Sequence, residues 1–395
     1  MMRGSTLAIG LIVGVLSSGC DEADSGRVPA ARLSLSETLA GGDTAGYERA
    51  REVRRFSFPR DHGAHPGFRT EWWYVTGNLE TEAGRPFGFQ LTIFRSALSP
   101  TEPSLASAWA TNQAYMGHFT VTDVEGGRFH AFERFARGGA GLAGARMVAA
   151  RDTSAALRVW VEDWSLTGSA GGSGFPMRAS AEDSGVAIDL RLEAGKPVVL
   201  QGDRGLSRKG PEPGNASYYY AHTRMPASGS LVVEGDTVAV DGLAWMDREW
   251  STSALSGEQV GWDWFALQLD DGWDVMVYQL RLADGRPDPL SDGVLIDPEG
   301  EKTRLAWDDE LTLEVTEHWT SPIDGTRYPS GWRLSAPNRG LDLTVEPVLD
   351  DQELDLAFRY WEGAVRVRGT GVGGRPVEGR GYVELTGYAG DVRDR

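Results

Sequence analysis

The stretch EWWYVTGNL (71–79) and the run that follows it, FGFQLTIFR (87–95), decide the fold. The first is an aromatic run and the second alternates apolar and polar residues, the patterns of strands that lay at least one face on a core. Only a short polar turn containing Gly84 separates them, so together they read as a β-hairpin. The pattern returns at WDWFALQL (262–269), the turn DDG (270–272) and WDVMVYQLR (273–281). Trp72 then matches Trp262, Tyr74 matches Trp264 and Leu79 matches Leu269, while Arg95 and Arg281 end the second strands. Copies this far apart exceed any solenoid period and indicate two β domains of similar architecture. A third hairpin is expected at SLVVE (230–234), Gly235-Asp236 and TVAVD (237–241).

Outward from these hairpins, the chain beyond residue 52 is a succession of short strand-like runs broken by Gly, Asp and Asn. Helical periodicity is confined to short pieces. The fold class is therefore all-β, with antiparallel strands closing into barrels or sandwiches. Barrels of about eight strands are wide enough to hold one small ligand inside. The expected domains are 52–255 and 256–395, with the Gly-rich stretches 138–144 and 168–174 as loops within the first.

Composition narrows the function. The chain has 395 residues, with 39 Lys+Arg against 57 Asp+Glu, a net charge of −18. Nucleic-acid binding needs a basic surface, so that partner is excluded. Only Lys196, Lys209 and Lys302 are lysines, which reads as codon usage rather than function. The single cysteine, Cys20, permits no internal disulfide and no cysteine-based metal site. Before it stand Arg3, an apolar run from Leu7 to Leu16 and the small residues Ser17-Ser18-Gly19. The run is shorter than the roughly 20 residues that span a bilayer and has the layout of an export signal. Residues 1–19 are thus expected to be a lipoprotein signal peptide, Cys20 the lipidated N-terminus, and 20–51 a polar tether. That places the protein in the cell envelope, on the periplasmic side or outer surface, touching the membrane through its lipid anchor only.

Several blocks together carry a family resemblance. DHGAHP (61–66), EWWY (71–74), GNL (77–79), SYYY (217–220), GLAWMDREW (242–250), WDWF (262–265), YWEG (360–363) and GYVELTGY (381–388) stand in order along nearly the whole mature chain. The sequence resembles the AttH-like family, which includes the carotenoid 1,2-hydratases (hydroxyneurosporene synthases). The resemblance implies two lipocalin-like barrels in tandem, a hydratase-type one followed by a partner. Family members range from carotenoid hydratases to proteins known only as predicted secreted hydrolases. No Gly-x-Ser-x-Gly elbow or phosphate-binding loop is present, so a serine hydrolase has no motif support.

The candidate chemistry centres on WMDREW (245–250). In an extended strand Trp245, Asp247 and Glu249 share one face, and Met246, Arg248 and Trp250 the other. Two carboxyls beside a large aromatic suit an acid catalyst, because desolvation and a like charge both raise a carboxyl pKa. The resemblance places Asp247 where the hydratases have their proposed proton donor. It also implies a His and an aromatic residue some way upstream; here Tyr218 and Tyr220 stand at that distance and the nearest imidazole is His222. Asp247, Glu249, Tyr218 and Tyr220 are therefore the candidate catalytic set. The competing reading pairs the carboxylates with Arg248, Arg224 or Arg95 to close a barrel. Candidate ligand-binding residues are Trp72, Trp73, Tyr74, Trp245, Trp264, Glu71, His118 and Asp263. Among these, Glu71 more readily closes the barrel by pairing with Arg69 or Arg95. His62 and His65 form too sparse a set for zinc and read as loop-ordering residues. No cofactor and no metal are expected. The sequence points to an apolar small-molecule ligand, isoprenoid or lipid-like, hydrated or otherwise transformed by cofactor-free acid catalysis. The alternative is a non-catalytic lipid carrier or structural envelope protein.

Overall fold

The computed structural model describes residues 44–147, 155–170, 172–253, 255–307 and 309–389. The expected signal peptide, Cys20 and most of the expected tether lie outside the described residues. Nearly every described element is a strand, and the only helical pieces are two 3-10 turns, Arg60–His62 and Pro337–Arg339.

The strands form two antiparallel, barrel-like sheets, the first nearly closed and the second a half-barrel. The 13-stranded first sheet runs from Arg128–Arg137 through Gln113–Asp123, Pro86–Ala97 and Thr70–Glu80 to Asp236–Ser251 and Ala216–Val233. It continues through Val186–Leu192, Met177–Asp183, Trp164–Ser169 and Ala155–Val161 to Ala143–Met147. Strands near its two ends approach across the core: Phe119 packs on Trp164 with ring centroids 5.7 Å apart, and Arg134 reaches Asp183 at 3.2 Å. The second, 10-stranded sheet begins at Gln259 and is built around the hairpin Gln259–Leu269 and Asp274–Leu282, with Pro376–Leu385 and Arg359–Thr370 beside it.

All three predicted hairpins form. Thr70–Glu80 pairs with Pro86–Ala97 so that Trp73 faces Ile93 and Val75 faces Leu91. Trp264 pairs with Tyr278 in the second copy. The third hairpin turns on Glu234 and Gly235, both at positive φ (55° and 88°), which is the type I′ geometry that follows the strand twist.

Period-two alternation assigns each strand two different neighbours. Trp73, Val75 and Leu79 point into the first sheet with Phe89, Leu91, Phe119 and Leu190. Phe265, Leu267 and Leu269 point into the second with Trp332, Trp361 and Val383. Bulky side chains line both interiors. The opposite faces of the same strands meet each other. Tyr74, Tyr219, Ala221 and Trp245 pack on Trp264, Ala266, Tyr278 and Tyr382. This contact is close: a Cβ on Gly88 would lie 2.7 Å from that of Ala364. Asn78 donates to the Gly381 carbonyl at 3.0 Å and Thr122 to Gln352 at 2.8 Å across it.

Candidate active site

A cavity lies between the two sheets. Its first wall comes from Trp72, Tyr74, Phe94, Tyr219, Asp247 and Glu249; its second from Trp262, Trp264, Tyr278, Leu280 and Glu384. Lys209 and Leu255 complete the lining. Strand register produces the first wall directly. Tyr74 stands opposite Asp247 and Trp72 opposite Glu249, while on the other flank Glu249 stands opposite Tyr219. Directly opposed residues share a face, so one patch collects two carboxyls, two tyrosines and a tryptophan.

Asp247 is buried, and both its oxygens are held by neutral donors. The Tyr219 hydroxyl donates to Oδ2, and the Trp245 indole N–H donates to Oδ1 at 2.7 Å. Trp264 Nε1 in turn donates to the same hydroxyl at 3.3 Å. Among the described residues no cation pairs with Asp247. Burial pushes its carboxyl up to about 7, against the two hydrogen bonds, and the neighbouring Glu249 adds to the rise.

Glu249 differs by one partner. Lys209 Nζ lies 3.3 Å from its Oε1 and 4.3 Å from the centre of the Tyr278 ring. Burial opposes the Lys209 ammonium, but Glu249 outweighs it, and the pKa is raised. Of the two carboxyls on this strand face, Glu249 thus has a cation against it and Asp247 has only neutral donors. The arginine partners considered for Asp247 and Glu249 are engaged elsewhere.

Of the residues singled out in the sequence, Asp247, Glu249, Trp72, Tyr74 and Trp264 meet in this cavity, with Trp245 buried behind Asp247. The others do not. Tyr218 and Tyr220 point away from the cavity, to the opposite side of their strand, where they pack with Phe56, Phe58 and Trp250. Tyr218 donates to the Glu52 carbonyl, and Tyr220 bonds His62 Nδ1 at 2.6 Å. The residue between them, Tyr219, takes the position at the acid. Trp73 lies inside the first sheet, its indole donating to the His62 carbonyl at 2.8 Å.

Glu71 closes the end of the first sheet, bonded by both Arg95 and Arg248. Burial opposes its charge, but the two guanidiniums hold its carboxyl far below the usual range. Asp263 has the matching place in the second sheet, 2.9 Å from Arg281 and 3.0 Å from the Tyr388 hydroxyl. His118 is buried between the sheets, with Nδ1 2.7 Å from the Tyr360 hydroxyl, and burial lowers its pKa to about 3. His62 and His65 order the first loop: His65 stacks on Trp250 with centroids 3.7 Å apart. Among the described residues no group of three His, Cys, Asp or Glu side chains is arranged to hold a metal.

Sequence reasoning missed Tyr219, Lys209 and Glu384. Tyr219 needed the register of Ala216–Val233 against Asp236–Ser251, which alternation alone does not supply. Lys209 carried one signal, its rarity: all three lysines join the 196–209 segment or its neighbours to the rest. Lys196 lies 2.8 Å from Asp274, and Lys302 reaches the Gly202 carbonyl at 2.8 Å. Glu384 was visible as the lone acid in the aliphatic strand GYVEL (381–385), by the same logic that singled out Asp263.

Comparison with known proteins agrees with this architecture. The sequence model described as AttH-like matches residues 49–388. A solved structure of a candidate AttH protein from Nitrosomonas europaea is 34% identical, with a TM-score of 0.74 over 87% of this chain and 100% of that one. Kievitone hydratase from Nectria haematococca is 15% identical, with a TM-score of 0.64 over 89% and 98%. CghA is 13% identical, with a TM-score of 0.50 over 90% and 98%. No curated protein matches.

Proposed function

The chain belongs to the AttH-like family, and from that premise we propose that it hydrates an isoprenoid or lipid-like alkene between its two barrels by cofactor-free acid catalysis. The observation that carries the reading is Asp247: a buried carboxyl without a cation, held by Tyr219 and Trp245 and lining an aromatic cavity. Protonating an unactivated alkene requires an undissociated acid aimed at the carbon and kept from bulk water. Asp247 supplies the proton; Trp72, Trp262 and Trp264 line the cavity, and aromatic rings stabilise positive charge. A water molecule then forms the C–O bond and gives up a proton. The hydratase among the structural neighbours supports the reaction class by analogy of fold alone.

The same aromatic wall suits a carrier that binds the ligand without changing it. The two readings separate at Asp247. Incubation with farnesol in H₂¹⁸O is expected to give an ¹⁸O-labelled alcohol with the wild type. Asp247→Asn is expected to lower that rate by about 10²–10⁴-fold, the usual contribution of a positioned acid. Binding of farnesol with no ¹⁸O product would favour the carrier. We further propose lipid anchoring at Cys20 in the cell envelope; radiolabelled palmitate should enter the wild-type protein in a bacterial host and not Cys20→Ser.

A further inference from the structure

The second barrel contributes its own carboxyls to the space between the sheets. Glu362 and Glu384 are directly paired residues on the adjacent strands Arg359–Thr370 and Pro376–Leu385. Both turn outward from the second core toward the first barrel. Among the described residues neither has a cation partner. Glu384 lines the cavity on the wall opposite Asp247, partly exposed, and one of its oxygens accepts from Trp262 Nε1 at 3.1 Å. Glu362 lies deeper and is fully buried. One of its oxygens accepts from the Tyr74 hydroxyl, and the Tyr360 hydroxyl also lies against the carboxyl.

We propose that Glu384 is the base of this site, taking the proton from the water that adds to the carbocation. The step balances without a further reactant. Asp247 gives its proton to one alkene carbon, water oxygen bonds the other, and the released water proton goes to Glu384. Exchange with solvent resets both carboxyls.

The division of roles between the two glutamates follows from their surroundings. Paired carboxyls in a cation-free, desolvated place do not both ionise easily. Burial, with Glu384 next to it, raises Glu362 well above the ordinary range, so Glu362 keeps its proton. Burial raises Glu384 as well, to about 7, but of the pair it is Glu384 that lines the cavity, where a water can reach it. A base and an acid on opposite walls also bracket a flat alkene from its two faces, which is where addition needs them.

This inference rests on the acid-catalysis reading, and deuterium exchange separates the two. In D₂O, reversible protonation by Asp247 alone washes deuterium into unreacted farnesol, whereas hydration also needs the base. Glu384→Gln is expected to keep deuterium wash-in within about threefold of wild type while losing hydration by about 100-fold or more. Glu384→Asp should recover part of the hydration. Hydration by Glu384→Gln at the wild-type rate, with Asp247→Asn inactive, overturns the role of Glu384 and leaves Asp247 standing. A wild-type protein that neither exchanges nor hydrates farnesol overturns the acid-catalysis reading and this inference with it.

Discussion

A carboxyl taken out of water keeps its proton unless a cation or enough hydrogen-bond donors hold the charge. Asp247 and Glu249 are two residues apart on one strand face, yet Lys209 sits on Glu249 and only neutral donors reach Asp247. That asymmetry is what assigns the acid. It also fixes a sign. Turnover that needs Asp247 protonated falls as pH rises through about 7, the value to which burial raises it. The Lys209 ammonium lowers Asp247, so Lys209→Met is expected to move this alkaline limb to higher pH in the farnesol rate profile. A limb that stays in place would detach Lys209 from the acid. Asp247 itself was legible in the sequence because an Asp between two tryptophan-rich positions has few uses on a buried face. Its partners were not, since Tyr219, Lys209 and Glu384 come from three separate segments whose meeting depends on register.

The strands do two jobs through one alternation. Along Thr70–Glu80, Trp73, Val75 and Leu79 build the core, whereas Trp72 and Tyr74 build the cavity. The hairpins were readable because one face of each strand carries large apolar residues at alternate positions and Gly or Asp turns bound the runs. Which face lines the cavity was not readable, as both faces are buried and alternation marks parity rather than direction. Tyr218 and Tyr220 illustrate this, sharing a face as expected but lying on the side of Trp250. At the strand ends, Glu71 with Arg95 and Arg248 fastens the first sheet. Breaking a fully buried ion network leaves charge uncompensated, so Glu71→Gln is expected to destabilise the fold by roughly 3–5 kcal/mol. The carboxyl pKa is depressed by folding, so its stabilisation is complete above the ordinary Glu value and is lost as pH falls below it. Chemical denaturation of wild type should therefore weaken from about pH 5 downward, and Glu71→Gln should flatten that slope. An unchanged slope would remove Glu71 from the acid lability.

At the scale of the molecule, the proposed function is a property of the contact between the sheets. Bulky side chains line each interior, and Asp247, Glu249, Glu362 and Glu384 lie on the outer faces that meet. Two barrels were legible from the repeated hairpin, but not that the site falls between them, because nothing in one domain's pattern states what its second face touches. Lys196 and Lys302 strap the 196–202 segment across the second sheet, and Gly88 lets the sheets approach Ala364 closely. A valine at position 88 cannot fit at that separation. Gly88→Val is expected to lower Tm by several degrees and to abolish farnesol turnover while leaving each sheet's far-ultraviolet circular dichroism in place. Retained turnover would place the chemistry elsewhere than between the sheets.

The central claim is that Asp247 carries a proton at neutral pH inside that contact. Carboxyl ¹³C NMR of protein labelled at Asp side chains measures it directly, with Asp247→Asn identifying the resonance. A titration midpoint near 7 that disappears in the variant is the expected result. A midpoint near the ordinary Asp value of about 4 would mean that Asp247 is ionised at neutral pH, and the acid-catalysis account would be wrong.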